Sequence, residues 1–245
     1  MQVYLNRVDG IDDAILTMFY SRRHITREFE THVRQVVNFY SNLDIRTHPE
    51  MPFGALLGKD EELTQWLDQL FKFSEHHITM GKFIDLSFTV YGLHRAGQDD
   101  WDAHAKRYDN RIIRESTRLG VFSNEMSDWY KGKIVPTDIA LAALGIIVPD
   151  EITYEGEIYV KTTNGYILKG HENDKDYKRG LYMLSIPSNF IFRCNLTEFG
   201  HVYKERNDDG TANGEVKLCC ESCADQVGAA TLGYANREWL AAVKN

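Results

Sequence analysis

The sequence lacks an excess of basic residues. Its 245 residues include 28 Lys and Arg against 36 Asp and Glu, which gives a formal net charge of -8 at pH 7. General nucleic-acid binders carry a basic surface, so this balance argues against that class of protein. A few arginines would still be enough to bind a small anionic ligand, because a guanidinium makes paired, charge-assisted hydrogen bonds to phosphate or carboxylate.

The sequence also lacks a long apolar run. The stretch MQVYLNRVDG has no charged segment followed by apolar residues, as a signal peptide would have. The longest apolar segment, IALAALGIIVP, is interrupted by Gly145 and closed by Pro149, and it is too short to span a bilayer. We therefore expect a soluble, cytoplasmic protein with no membrane partner.

Cysteines are few, and three of the four lie close together as Cys219, Cys220 and Cys223. This spacing does not resemble the disulfide framework of a small secreted protein. A zinc site would need about four ligands, and the nearest histidine in the sequence, His201, falls on a different predicted helix. The three cysteines continue the apolar stripe of their own predicted helix, which favours core packing over a metal site.

Common catalytic motifs are absent as well. The sequence contains no G-x-G-x-x-G, no G-x-x-x-x-G-K-[ST] and no G-x-S-x-G. Its nine histidines are scattered and form no H-E-x-x-H pattern. These absences argue against the ordinary dinucleotide, nucleoside-triphosphate, serine-hydrolase and zinc-protease classes.

The apolar spacing predicts a mixed α/β or α+β fold. Helical spacing occurs in EFETHVRQVVNFY, EELTQWLDQLFKF, NLTEFGHVYKER and EVKLCCESCADQV, and from about Gln98 to Arg118. Strands are predicted in MQVYLNRV, in SIPSNFIFRCN and in DLSFTVYGL, which Gly92 is expected to end. Asn164-Gly165 between two strand-like runs predicts a β-hairpin with a type I′ turn.

One predicted helix carries polar groups at both ends of an apolar stripe. In NLTEFGHVYKER, the residues Asn195, Phe199, Val202 and Arg206 fall on nearly one face. A rise of 1.5 Å per residue separates Asn195 from Arg206 by roughly 16 Å. Two interpretations stay open: a core stripe with polar ends, or a helix that lies along an extended ligand whose anionic group binds Arg206.

That helix resembles the Asn-Leu-x-Glu-aromatic-x-His-x-x-x-x-Arg segment of the flavin-dependent thymidylate synthases. Further pieces occur in the family's order. LSFTVYGLHRA is similar to the strand that ends in Gly-Val-Ser-Arg-Ala, and SNEMSDWY is similar to Asn-Glu-x-Ser-x-Arg-Tyr. Ile186-Pro187 matches the family's Leu-Pro, and ANGE, at residues 212–215, matches its Ala-Gln-x-Glu. The pieces extend from about Phe83 to Val227.

The sequence departs from the family at several positions. The family's Arg-His-Arg has Arg114-Glu115-Ser116 as its best counterpart, so only the first Arg is kept. Trp129 replaces the last Arg of the signature, and Ile84-Asp85 stands in place of a Glu-His pair. The hairpin around Asn164-Gly165 lies where the family usually has a helix.

The resemblance implies a thymidylate synthase-complementing-protein-like fold, with a central sheet and flanking helices in a single domain over residues 1–245. It implies one-carbon transfer from methylenetetrahydrofolate to C5 of a pyrimidine nucleoside monophosphate such as dUMP, with FAD and NADPH as cofactors, in a homotetramer. Such an enzyme orients and polarises its substrates and needs no nucleophile of its own. The alternative is a non-catalytic relative that keeps the fold as a nucleotide-binding or assembly protein.

The motif positions of the family imply site residues in this chain. The substrate-binding residues are Arg114, Glu125, Ser127, Trp129, Arg179 and Arg206. The cofactor-binding residues are Arg95, Asn124, Asn195 and His201. Glu125 and Ser127 are expected to face the nucleotide, Asn124 to support the turn, and Trp129 to stack on a ring of the ligand. A turn in which Ser127 only caps a helix is the structural alternative.

Overall fold

The computed structural model describes most of the chain: residues 1–42, 57–74, 77–103, 111–116, 126–133, 135, 137–162, 165–174, 184–207 and 213–242. Three of the expected site residues, Asn124, Glu125 and Arg179, lie outside the described residues.

Helices and strands are mixed along the chain. The α-helices are α1 (Ile11–Tyr20), α2 (Arg27–Asn42), α3 (Glu61–Ser74), α4 (Arg95–Asp102), α5 (Thr137–Ala143), α6 (Leu196–Asn207), α7 (Gly214–Ala230) and α8 (Arg237–Ala242). The strands are β1 (Gln2–Asp9), β2 (Asp85–His94), β3 (Arg111–Arg114), β4 (Glu151–Tyr154), β5 (Glu157–Thr162), β6 (Gly165–Leu168) and β7 (Pro187–Asn195). Short 3-10 helices lie at Leu57–Lys59 and Ile78–Phe83.

The larger sheet has four antiparallel strands in the order β1-β2-β7-β3. Alternate residues point to opposite faces of such strands, so one face can be buried while the other meets water. Phe88 of β2 pairs with Phe192 of β7, and the Phe88 ring lies 5.3 Å from the ring of Phe199 on α6. Tyr91 and Ile191 point the other way and are 46% and 52% exposed. The helices therefore cover one face of the sheet.

A smaller antiparallel sheet has the order β4-β5-β6. Thr162 pairs with Gly165 across the hairpin, and Tyr159 pairs with Leu168. The predicted hairpin is confirmed, although Asn164 itself lies outside the described residues. Ile167 is buried, whereas Tyr154 is 60% exposed.

The predicted mixed fold class, with a central sheet and helices against it, is confirmed. Two details of the prediction are wrong. The helix expected from about Gln98 to Arg118 ends at Asp102, and residues 111–114 form strand β3 instead. Two adjacent β-branched isoleucines favour a strand there, and β7 provides a partner for it. Together these outweigh the local helical spacing. Strand β2 also does not end at Gly92: it continues to His94, with a shift of register around this glycine, whose φ is 78°.

The cysteines belong to the hydrophobic core. Cys219, Cys220 and Cys223 on α7 are 0% exposed, and Cys194 on β7 is 1% exposed. All four are free thiols, and burial raises the pKa of each above its ordinary value. Core packing of these side chains is thus confirmed. The helices in the described ranges are too short or too polar to traverse a lipid bilayer.

Candidate functional site

A buried carboxylate at the start of α7 joins three separate parts of the chain. The Glu215 side chain is 5% exposed. Its Oε1 accepts a hydrogen bond of 2.8 Å from the Ser127 hydroxyl. Its Oε2 contacts Nδ1 of His94, the last residue of β2, and accepts a hydrogen bond of 3.3 Å from the His94 backbone N–H. His94 and Ser127 are also buried. Glu215 therefore ties the end of β2 and the segment around Ser127 to helix α7.

Opposing effects act on the pKa of the Glu215 carboxyl group. Burial raises this pKa, while hydrogen bonds from His94 and Ser127 lower it, and the net result lies below the ordinary value of 4.5. The charged form is stabilised because its oxygens receive these donors directly. Glu215 is therefore a carboxylate at neutral pH, in a place where water cannot solvate it.

The turn at residues 126–133 is held by consecutive residues at the start of α7. Asn213, the N-cap of that helix, donates from Nδ2 to the Tyr130 hydroxyl at 3.1 Å. A Cβ on Gly214 would overlap the indole ring of Trp129, so the close approach of ring and helix requires glycine there. Glu215, the next residue, accepts a hydrogen bond from Ser127. Three consecutive residues at the start of α7 thus each contact a different residue of the turn.

The Ser127 hydroxyl points inward. It donates to Glu215 and accepts a hydrogen bond of 3.2 Å from the backbone N–H of Trp129. The Ser127 backbone N–H donates to the carbonyl of Ser185 at 2.8 Å. Trp129 is half-buried, and Lys133 Nζ lies 3.1 Å from the centroid of its ring. Ser127 thus anchors the turn, and a contact of its hydroxyl with a nucleotide stays a prediction.

Two of the expected arginines reach the last turn of α4. Arg114 forms an ion pair with Asp99, and Arg206 donates from Nη2 to the backbone carbonyl of Asp100. Nε of Arg206 is buried and has no hydrogen-bond partner among the described residues. A buried guanidinium N–H without an acceptor costs free energy. An anionic ligand that accepted a hydrogen bond from it would remove that cost.

Arg95 is the first residue of α4. Its Nη1 donates to the carbonyl of Glu115 at 3.0 Å and also lies 3.3 Å from Gln98 Oε1 and from Ser188 Oγ. Helix α4 has eight residues and is therefore about 12 Å long. The guanidinium groups of Arg95, Arg114 and Arg206 are accordingly brought to one short helix.

The same helix adjoins the turn at residues 126–133. His94 directly precedes α4, and its ring lies edge-on to the Tyr130 ring at 5.0 Å between centroids. The structure therefore brings five expected site residues into one region, at the C-terminal end of β2. These are Arg95, Arg114, Ser127, Trp129 and Arg206.

Asn195 lies at the opposite end of the central ladder. Strand β2 pairs with β7 from Asp85, opposite Asn195, to His94, opposite Pro187. At about 3.3 Å per residue, the two ends are about 30 Å apart. Asn195 Oδ1 accepts a hydrogen bond of 2.8 Å from the Glu198 backbone N–H, so this side chain caps helix α6.

The middle of α6 belongs to the core. Phe199 and Val202 are 0% exposed, and His201 is 4% exposed. The interpretation of α6 as a helix that lies along an extended ligand is therefore wrong for its apolar stripe, and the core-stripe alternative is correct. The stripe repeats at helical spacing because it packs against the sheet.

Of the residues expected to hold the flavin, Asn124 lies outside the described residues, and the other three do not converge within one chain. Arg95 and Asn195 lie at opposite ends of the β2–β7 ladder, and each bonds to neighbouring protein groups. His201 is buried on α6 between them. Within one chain, Arg95, Asn195 and His201 therefore form no common site for FAD.

Sequence reasoning assigned no role to His94, Asn213 or Glu215, although each occurs within a motif that resembles the family. The signal that could have found Glu215 is its position two residues after Asn213. An Asn before a predicted helix is a typical N-cap, and an acidic residue is favoured in the first turn that follows. Nothing local in the sequence indicates that His94 is its partner.

No family model and no curated protein matches this chain. Among solved structures, flavin-dependent thymidylate synthase ThyX from Helicobacter pylori, complexed with FAD and dUMP, is similar over 96% of this chain and 98% of its own, with 11% identity and a TM-score of 0.49. The UMP/dUMP methylase PolB from Streptomyces cacaoi, bound with 5-Br dUMP, is similar over 95% of this chain and 93% of its own, with 11% identity and a TM-score of 0.48. The first of these carries the name of the family that the sequence resembles.

Proposed function

We propose that this chain binds a pyrimidine nucleoside monophosphate between helix α4 and the turn at residues 126–133, and transfers a one-carbon unit from methylenetetrahydrofolate to C5 of the base. The observation that carries this proposal is the convergence of Arg95, Arg114 and Arg206 on α4. The motifs that resemble the thymidylate synthase family supply the reaction and the substrate class.

The two parts of the nucleotide would meet different side chains. Arg114 and Arg206 bind the phosphate, since a guanidinium offers two parallel N–H donors to its oxygens. Nε of Arg206, which has no hydrogen-bond partner in the described part of the chain, supports this role. The half-buried indole of Trp129 stacks on the base, because aromatic faces bind the faces of planar rings.

The chain's own contribution to the reaction is binding and orientation. Holding the ring of the base beside the one-carbon donor converts an encounter of two molecules into a reaction within one complex. In the reaction that the resemblance implies, NADPH supplies the reducing equivalents through FAD. The three described residues expected to hold FAD do not converge within one chain, so we assign them no step through it.

A homo-oligomer follows from the same proposal, and the resemblance implies that it is a homotetramer. Arg95 and Asn195 are about 30 Å apart along the ladder and reach one flavin only if different chains contribute them. A symmetric oligomer repeats such a shared site in every copy. Light scattering at micromolar concentration tests this point, and a monomer would contradict a shared site.

A non-catalytic nucleotide-binding protein is the second candidate. It is favoured by Arg114-Glu115-Ser116, where a carboxylate stands in place of the family's histidine. Glu115 accepts a hydrogen bond of 3.1 Å from the Asn189 backbone N–H, and its carbonyl accepts one from Arg95. These contacts give the segment a structural use that needs no flavin.

Two measurements on the purified protein separate the candidates. Absorption bands at about 370 and 450 nm, typical of an oxidised flavin, would support the enzyme. Calorimetric titration with dUMP, UMP and dCMP tests nucleotide binding independently of the flavin. Binding without flavin or one-carbon transfer would favour the second candidate, and absence of binding to all three nucleotides would contradict both.

A further inference from the structure

We infer that the start of helix α7, residues 213–215, sets the base preference of the nucleotide site, with Glu215 as a positioning residue that fixes Trp129 without touching the ligand. The choice of ligand rests on the proposed function. The positioning of Trp129 rests only on the contacts of this chain.

Trp129 is fixed at its backbone and at its ring, and both contacts lead to α7. Its backbone N–H donates to Ser127 Oγ, which in turn donates to Glu215. Its ring lies against Gly214, where there is no room for a Cβ. Glu215 directly follows Gly214. The start of α7 therefore fixes both the backbone position and the ring orientation of Trp129.

The charge of Glu215 determines the direction of these hydrogen bonds. A carboxylate only accepts, and here it accepts from Ser127 on one oxygen and from His94 on the other. A glutamine in its place has one accepting oxygen and one donating NH2 group. Its oxygen could accept from only one of the two donors. With that oxygen toward His94, its NH2 group would donate to Ser127 Oγ, and the Ser127 hydroxyl hydrogen would lose its buried acceptor.

Water cannot repair such a loss without a movement of the protein. Ser127 is 2% exposed, Glu215 is 4% exposed and His94 is 0% exposed. A buried donor that loses its acceptor pays its full desolvation cost unless the structure rearranges. The turn at residues 126–133 is the part that can move, since Glu215 and His94 are fixed within α7 and β2.

A shift of the turn would change the contacts with the base and leave those with the phosphate in place. The arginines proposed for the phosphate contact Asp99 and Asp100 in the last turn of α4, whereas the turn at residues 126–133 contacts His94, which precedes the first turn of α4. Trp129 is the proposed contact of the base. A displaced indole should therefore change the affinity for the base while a ligand without a base is unaffected.

The test compares Glu215→Gln with Glu198→Gln. Glu198 is also a buried carboxylate, 2% exposed, but it lies in the first turn of α6 at the Asn195 end of the ladder. Trp129 emission is isolated by subtracting the spectrum of the matching Trp129→Phe protein. We expect a changed emission and acrylamide quenching of Trp129 in Glu215→Gln and none in Glu198→Gln. Affinities for dUMP, UMP, dCMP and deoxyribose 5-phosphate are measured on the same proteins.

In Glu215→Gln, dUMP affinity should fall at least about fivefold, the lower end of what stacking on an aromatic side chain contributes, and its ratio to UMP and dCMP should change. Affinity for deoxyribose 5-phosphate should stay within about twofold, because its contacts are to the arginines. Unchanged Trp129 emission in a folded Glu215→Gln protein would overturn the inference, and so would changed emission with unchanged nucleotide affinities.

Two further outcomes are distinguishable. If the wild-type protein binds none of the nucleotides, the proposed function and the base-preference role fail together, while the emission of Trp129 still decides whether Glu215 positions it. If Glu215→Gln does not fold, Ser127→Ala replaces it, because it breaks the same link from the side of the turn. An unchanged Trp129 emission in Ser127→Ala would then overturn the inference.

Discussion

The two ends of the β2–β7 ladder carry similar polar groups in different surroundings. At one end, Asp85 pairs with Arg193 at 2.9 Å, and their side chains are 33% and 37% exposed. At the other end, His94 pairs with Glu215, and their side chains are 0% and 5% exposed. Water screens the first pair and cannot reach the second. Burial, rather than residue type, therefore distinguishes the two pairs, and the buried pair lies at the end where the arginines and Trp129 come together.

The largest expected effect is on stability, when the carboxylate at the buried end is removed. Glu215→Ala leaves the donors of Ser127 and His94 buried without an acceptor, and it should lower the free energy of unfolding by about 3–5 kcal/mol. Asp85→Ala, the matched change at the exposed end, should cost less than about 1 kcal/mol. Urea unfolding of both variants measures the difference, and equal costs would break the comparison between the two ends.

The second effect is on nucleotide binding. Arg206→Lys should weaken it by about 1.5–3 kcal/mol, the scale of a hydrogen bond to a charged group, because an ammonium cannot reproduce the paired donors. Arg193→Lys, at the other end of the ladder, is the control and should leave the affinity unchanged. Calorimetry with dUMP on both folded variants checks this, and equal affinities would remove Arg206 from the site.

The third effect is a pH dependence at the buried end. The pKa of folded Glu215 lies below its ordinary value of 4.5. Its contribution to stability is therefore present above pH 4.5 and is lost as the pH falls through the folded-state pKa. The difference in unfolding free energy between wild type and Glu215→Gln should shrink from neutral pH to below 4.5. A difference that stays constant over this range would contradict the assignment.

The smallest effect is expected at the capping end. Asn195→Ala removes the acceptor for the Glu198 N–H at the start of α6 and should cost about 0.5–2 kcal/mol of stability. Within one chain this residue is about 30 Å from Arg95 along the ladder and roughly 16 Å from Arg206 along α6, and its side chain caps the helix, so nucleotide affinity should hardly change. Melting temperature and dUMP titration test the two statements. A lost affinity with an unchanged melting temperature would indicate that Asn195 acts in a site shared between chains.

Strong periodicity made most of the fold predictable. The apolar spacing of α2, α3, α6 and α7 and the alternation of β1, β2 and β7 each reflect one buried face, which leaves a direct mark on the sequence. Strand β3 left no such mark. It has four residues, and it exists because β7 offers a partner far along the chain. Local spacing carries no information about such a partner.

The candidate site divides in the same way. The order of the motifs in the sequence was enough to predict Ser127, Trp129 and Arg206 as site residues. It did not indicate that the Ser127 hydroxyl donates to Glu215, 88 positions further along the chain. The direction of a side chain depends on which acceptors surround it, and those acceptors come from distant segments.

The sequence by itself determined the mixed fold class, the buried cysteines and the order of the motifs, because each follows from composition or from spacing along the chain. Only the tertiary structure decided that Asn195 and Arg95 stand at opposite ends of a ladder and that Glu215 holds the turn around Trp129. Both facts depend on strand register and helix packing, which bring residues together over long stretches of chain. Burial then determines how strongly the contacts of Glu215 stabilise the protein, since the same carboxylate would have little effect in water.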